Sequence, residues 1–164
     1  MNKSTDGMMA VRKLWDVGLG LKAGVLLNEQ LPITSQPKWA ANILRLVKAK
    51  SGVEHDCIDL AIIVATDHSK WNRGHYVFSE TRKATLRLDE KQPHEWTEDE
   101  ETLHWVLALT ELVAKVTYNA TNPVDEFDKD SAAWVVASLR GFVDLWRMDS
   151  EFAEKAWHFA TDVS

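Results

Sequence analysis

The sequence predicts an all-α fold in which residues 1–164 form a single domain, a bundle of five or six helices. In most of the chain, apolar residues recur at the three- and four-residue spacing of amphipathic helices. The composition, 45% hydrophobic and 27% charged residues, is that of an ordinary globular protein. A chain of 164 residues also buries enough surface to fold without a metal or a disulfide. The alternative is an α+β fold, in which residues 74–89 form a small β-hairpin.

Two helices are predicted in the first third of the chain. Residues 7–28 have the spacing of one amphipathic helix, with a face formed by Val11, Leu14, Gly18, Leu21 and Val25. Ser35 or Gln36 then caps a second helix that has Pro37 in its first turn and ends near Gly52. The letters GLGLKA match a dinucleotide-binding fingerprint, but amphipathic residues precede them instead of a strand. The small residues therefore predict close packing between helices.

The middle of the chain contains an apolar run and an ambiguous segment. Residues 58–65 are apolar on all sides, and polar residues extend this segment to about fourteen residues, longer than most strands. It therefore predicts a central helix. In residues 74–89, Ala84, Leu86 and Leu88 alternate with a period of two, which is typical of a hairpin strand.

Two further helices are predicted in the last third of the chain. Thr97 and Glu100 form a capping box at the start of a helix whose inner stripe is Leu103, Val106, Thr110, Val113 and Thr117. After a loop, residues 131–160 have the pattern of a final helix. Asp149 lies in the middle of its apolar face, where a lone carboxylate is costly. This position predicts either the start of a new helix or an acid that is paired or faces a ligand.

Charge and cysteine content restrict the environment of the protein. The net charge of -6 opposes long-range attraction to nucleic acid or anionic lipid, so neither is the expected partner. The single cysteine, Cys57, excludes an internal disulfide and suits a reducing compartment. No apolar stretch approaches the ~18 residues of a membrane span, and the first residues are too polar for a signal peptide. We therefore expect a cytoplasmic protein without a membrane anchor.

Asp56 and Asp59 are one helical turn apart, and two carboxylates at this spacing are able to bind Mg²⁺. The stretch DCIDLAII resembles the acidic second half of the motif of the all-α nucleotide pyrophosphohydrolases. The resemblance covers about ten residues and implies a Mg²⁺-dependent hydrolase of nucleotides or phosphate esters. The chain departs from that family in having Asp first and no acid in the preceding helix, where the family has E-x-x-E. No other catalytic constellation is complete, so the sequence favours a protein that is not an enzyme and has no cofactor.

Eight tryptophans are more than a small core readily accommodates, and tryptophan is enriched at protein interfaces. The sequence therefore predicts a protein-interaction or self-association module, whose partner is an unidentified protein or a second copy. Cations and aromatic residues alternate in residues 70–87, which makes nucleic-acid binding a second alternative after the hydrolase. The candidate binding residues are Trp71, Arg73, His75, Trp96, Trp105 and Asp149.

Overall fold

The computed structural model describes residues 3–122 and 130–162, which form eight α-helices and no strand. The helices are α1 (Lys3–Asp16), α2 (Gly20–Asn28), α3 (Gln36–Ser51), α4 (Asp56–Thr66), α5 (Gly74–Asp89), α6 (Glu98–Thr121), α7 (Ser131–Leu145) and α8 (Ser150–Thr161). The connections contain three short 3-10 segments, Ile33–Ser35, His68–Arg73 and Pro93–Glu95. None of these helices combines the length and the apolar character that crossing a membrane requires. The predicted all-α class is confirmed, with more helices than the five or six expected.

The higher count arises because two of the predicted helices are each divided by a turn. Gly18 adopts the left-handed conformation, with φ at 82°, between α1 and α2, and glycine reaches this conformation at little cost. The single helix expected over residues 7–28 is therefore wrong, and Val25 of its expected apolar face is exposed. Residues 146–149 likewise separate α7 from α8, so one helix over residues 131–160 is also wrong.

Residues 74–89 form α5, so the alternative of a β-hairpin is wrong. Val77, Thr81 and Thr85 follow one another at helical spacing and are buried. The hydroxyl groups of the two threonines donate to carbonyl oxygens one turn earlier, at 2.7 and 3.1 Å, so both are satisfied within the helix. The period-two alternation does not reflect a strand, because Leu86 is half exposed on the outer side of α5.

Two helices with clear terminal signals form the centre of the fold. α6 packs against α3, α4, α5 and α7. At its start, the Thr97 hydroxyl accepts from the Glu100 amide at 3.1 Å, and the Glu100 carboxylate accepts from the Thr97 amide at 3.3 Å. α3 has Pro37 in its first turn and ends at Gly52, which has φ at 70°. All eight helices contribute side chains to one continuous hydrophobic cluster.

α2 and α7 approach each other closely at two glycines of α2. A Cβ atom on Gly20 would lie 2.9 Å from the Cβ of Arg140, and one on Gly24 would lie 2.5 Å from the carbonyl oxygen of Ala133. Contacts of this length leave no room for a methyl group, so these small residues serve helix packing. The contact also positions α7, which leads through residues 146–149 to α8.

Candidate functional site

The outer surface of α3 lies between α4 and α8, and depressions border it on both sides. Lys38, Asn42, Arg45 and Ala49 are spaced four, three and four residues apart, so they share the outward side of the helix. Asn42 is partly exposed and the other three are exposed. We call this outward side, together with the depressions next to it, the α3 face.

One depression, which we call the α3–α8 groove, encloses about 490 Å³. Leu46 of α3 and Phe159 of α8 provide apolar walls, and both pack against the core. The buried indole N–H of Trp39 donates to the carbonyl oxygen of Ala160 at 3.0 Å, which fixes this ring to α8. The remaining lining residues are Asn42, Arg45, Ala49 and Asp162.

Ala49 connects the α3–α8 groove to two neighbouring depressions, because it lines all three. One of them extends towards α4 and is lined in part by Ile62 and Ile63. The other extends along the start of α8 and is lined in part by Asp149 and Phe152. A larger side chain at position 49 would therefore obstruct all three depressions.

Asp149 lies at the α8 end of the α3 face, and both alternatives that its position predicted are observed. It begins α8, because its Oδ1 accepts a hydrogen bond from the amide of Phe152 at 2.9 Å. It is also paired, because its Oδ2 lies 2.6 Å from the Nζ of Lys50 on α3. The hydrogen bond from Lys50 is the main reason why the pKa of the Asp149 carboxyl lies below its ordinary value. Asp149 therefore joins the α7–α8 turn to α3.

The α7–α8 turn adds exposed apolar side chains next to this ion pair. Met148 is 92% exposed and Leu145 is 54% exposed. Together with Trp146, they line a depression that also includes Lys50 and Asp149. The α3 face therefore has apolar surface beyond the α3–α8 groove.

The two predicted metal ligands, Asp56 and Asp59, lie at the start of α4 in different surroundings. Asp56 is exposed. Asp59 accepts a hydrogen bond from the Nζ of Lys48 at 2.7 Å, which is the main cause of the raised pKa of Lys48. Within the described parts of the chain, no three His, Cys, Asp or Glu side chains are grouped as a metal ion would require. Asp59 borders the α4 side of the α3 face and Asp149 its α8 side, so the fold does not bring these acids together.

Trp71, Arg73 and His75 lie at the connection between α4 and α5. Trp71 is buried and its indole N–H donates to a carbonyl oxygen of α4, so it anchors this connection. The Arg73 guanidinium lies 5.4 Å from the centre of the Tyr76 ring. The His75 ring contacts Tyr118 edge-on, with 5.9 Å between the ring centres. The structure thus brings these three candidates to one connection, away from α3.

Three of the five cations in residues 70–87 have a carboxylate partner. The pairs are Lys70 with Asp67, Lys83 with Glu80 and Arg82 with Glu111. Nucleic-acid affinity depends on cations that neutralise phosphates. These pairs therefore reduce the positive charge that this segment would present to a phosphate backbone.

Trp96 and Trp105 flank His104 near the start of α6. The imidazole centre is 4.7 Å from that of Trp96 and 5.4 Å from that of Trp105. The Trp96 indole N–H donates to the carbonyl oxygen of Leu88, whereas Trp105 is 50% exposed. The buried Nδ1 of His104 has no hydrogen-bond partner among the described residues and lies 3.8 Å from a carboxylate oxygen of Asp89. This aromatic cluster does not contribute to the linings that define the α3 face.

The sequence interpretation missed the residues that shape the α3 face. Arg45, Leu46 and Ala49 belong to α3, and Phe159 comes from α8 at the other end of the chain. One signal was present in the sequence, since α3 has basic residues and no acidic ones. The packing of α8 beside α3 has no signal in the periodicity of either helix.

Comparison with known proteins identifies no relative from which a function could be transferred. No family model, no curated protein and no solved structure matches the chain.

Proposed function

We propose that this protein is an interaction module that binds a helical segment of a partner protein in the α3–α8 groove. The observation that carries the proposal is an accessible groove with apolar walls, Leu46 and Phe159, beside the exposed Ala49. A helix that binds in a groove inserts apolar side chains spaced three, four and seven residues apart. The small side chain of Ala49 lets the backbone of such a helix come close to α3.

The size and rigidity of the groove support this proposal. Its volume of about 490 Å³ lies within the range of roughly 300–1,000 Å³ that is typical of binding pockets. Hydrogen bonds from Trp39 to α8 and from Lys50 to Asp149 hold its two sides together. Binding to preformed walls has a lower ordering cost. Because the groove continues past Ala49, an elongated helix fits it better than a compact small molecule.

The two alternative functions have less support from the geometry. A Mg²⁺-dependent hydrolase would use Asp56 and Asp59, but Lys48 is already hydrogen-bonded to Asp59. Nucleic-acid binding would use residues 70–87, where most cations pair with carboxylates. Neither alternative makes use of an apolar groove.

The test is a selection of peptides from a displayed library of random amphipathic helices, with the purified protein as the target. Ala49→Trp obstructs the groove, and Ala10→Trp makes the same change at an exposed alanine of α1. We expect peptides that bind the wild-type and Ala10→Trp proteins and lose at least about tenfold in affinity for Ala49→Trp. Circular dichroism and thermal unfolding establish that both variants remain folded.

Two results would contradict the proposal. One is that no peptide is enriched, and the other is that enriched peptides bind Ala49→Trp as tightly as the wild type. Light scattering of the protein alone tests whether the partner is a second copy of this chain. If the wild type dimerises and Ala49→Trp does not, a second copy occupies the groove and the partner is not a different protein.

A further inference from the structure

We infer that the partner helix is acidic, with carboxylates next to the apolar side chains that enter the α3–α8 groove. This inference rests on the proposed function and specifies the chemistry of the partner. It starts from the composition of α3, in which every charged residue is basic: Lys38, Arg45, Lys48 and Lys50.

Two of these four basic residues have carboxylate partners within the protein. Lys48 pairs with Asp59 and Glu54, and Lys50 pairs with Asp149. Lys38 and Arg45 form no ion pair with any carboxylate of the described residues, in a chain with 25 acidic residues and a net charge of -6. Both side chains lie on the outward side of α3, and Arg45 lines the groove.

Arg45 is placed to meet a carboxylate of a bound helix. It lines both the α3–α8 groove and the depression on the α4 side. Its Nη1 donates to the Oδ1 of Asn42 at 3.2 Å, which orients the guanidinium and leaves further N–H donors for a ligand. A guanidinium binds a carboxylate through two parallel hydrogen bonds. Lys38 lies two helical turns earlier on the same side, so two acids about seven residues apart in the partner would meet both cations.

The position of the cation in the groove determines how the partner helix is oriented. Among the described residues that line the groove, Arg45 of α3 is the one cation. The carboxylates of the partner therefore lie along α3, and its apolar stripe faces Leu46 and Phe159. A phosphate backbone has no apolar stripe to place against these two side chains, so an acidic amphipathic helix is the better match.

The test measures the composition and the affinity of the peptides recovered from the helix library. We expect an excess of Asp and Glu beside the apolar positions, and about tenfold weaker binding to Arg45→Glu by fluorescence anisotropy. Arg87→Glu, the same change at an exposed arginine of α5, should leave the affinity unchanged. Replacing the acids of a peptide by Lys should restore binding to Arg45→Glu. The preference for acids should weaken in about 1 M salt.

The outcomes separate this inference from the proposed function. If peptides are sensitive to Ala49→Trp but have no excess of acids and bind Arg45→Glu normally, the inference is wrong and the proposed function stands. If no peptide is sensitive to Ala49→Trp, both are wrong. A fluorescent single-stranded oligonucleotide could bind the wild type and Ala49→Trp but not Arg45→Glu. In that case Arg45 binds nucleic acid and not an acidic helix, and the inference is overturned.

Discussion

Gly24 in α2 and Gly141 in α7 are both helical glycines, but an added methyl group meets different surroundings at the two positions. At Gly24, a Cβ atom would lie 2.5 Å from the carbonyl oxygen and 2.8 Å from the Cα of Ala133 in α7. These are backbone atoms, so α2 and α7 would have to move apart. At Gly141, apart from the glycine itself, its chain neighbours and the nearby backbone of α7, no atom of the described residues lies within 4 Å of the Cβ position. Gly24→Ala and Gly141→Ala therefore form a matched pair.

Two opposing free energies determine the expected effects. Replacing Gly by Ala within a helix stabilises the folded state by up to about 1 kcal/mol, and this contribution applies at both positions. Overpacking costs about 1–3 kcal/mol and applies only at Gly24. Because the clash there is with backbone, we expect Gly24→Ala to lower the free energy of unfolding by about 1–2 kcal/mol net. For a protein of this size, that lowers the thermal midpoint by about 2–8 °C, whereas Gly141→Ala should raise it.

Urea unfolding followed by circular dichroism measures both variants, and equal m values would show that the change is in stability alone. If Gly24→Ala stabilised the protein as much as Gly141→Ala does, α2 and α7 would not be in close contact at this position. The small residues of α2 would then not serve helix packing.

Three further predictions concern the acids Asp149, Asp56 and Asp59. Asp149→Ala removes both the cap of α8 and the ion pair with Lys50, whereas Asp149→Asn keeps an oxygen that can accept from the Phe152 amide. The alanine variant should therefore have the lower thermal midpoint of the two. Because the pKa of Asp149 is lowered on folding, its charge stabilises the protein above the ordinary pKa of aspartate and stops doing so as the pH falls through the lowered value. The difference between the wild type and Asp149→Asn should disappear in that acidic range, and a difference that stays constant down to about pH 2 would contradict this. Mg²⁺ should leave the thermal midpoint unchanged, since Lys48 is hydrogen-bonded to Asp59; a rise that Asp56→Ala and Asp59→Ala both abolish would instead support the hydrolase.

Short-range signals account for the elements that the sequence predicted correctly. Pro37 and Gly52 mark the ends of α3, and Thr97 and Glu100 mark the start of α6. Each signal acts on the backbone within one helical turn: proline fixes φ, glycine reaches the left-handed conformation, and the capping box satisfies backbone amides. Because these effects are local, they do not depend on the rest of the chain and can be recognised in the sequence.

The predictions that failed depend on contacts between distant residues. Residues 74–89 alternate like a strand in their second half, but the helix buries Val77, Thr81 and Thr85 and satisfies both hydroxyls. Gly18 divides the first predicted helix, and α2 then packs with Gly24 against Ala133 of α7. Periodicity describes one face of one segment, and it carries no information about the surface against which that face packs.

The amino-acid sequence is enough to locate the cations of the candidate site, since α3 has four basic residues and no acid. Which of them pair with carboxylates depends on how the helices pack. The turn at residues 146–149 places Asp149 against Lys50, and α4 places Asp59 against Lys48. Arg45 lines an apolar groove, and its guanidinium is hydrogen-bonded to Asn42 and not to a carboxylate of the described residues. The groove cannot be recognised from one segment of sequence, because its two walls come from helices far apart in the chain.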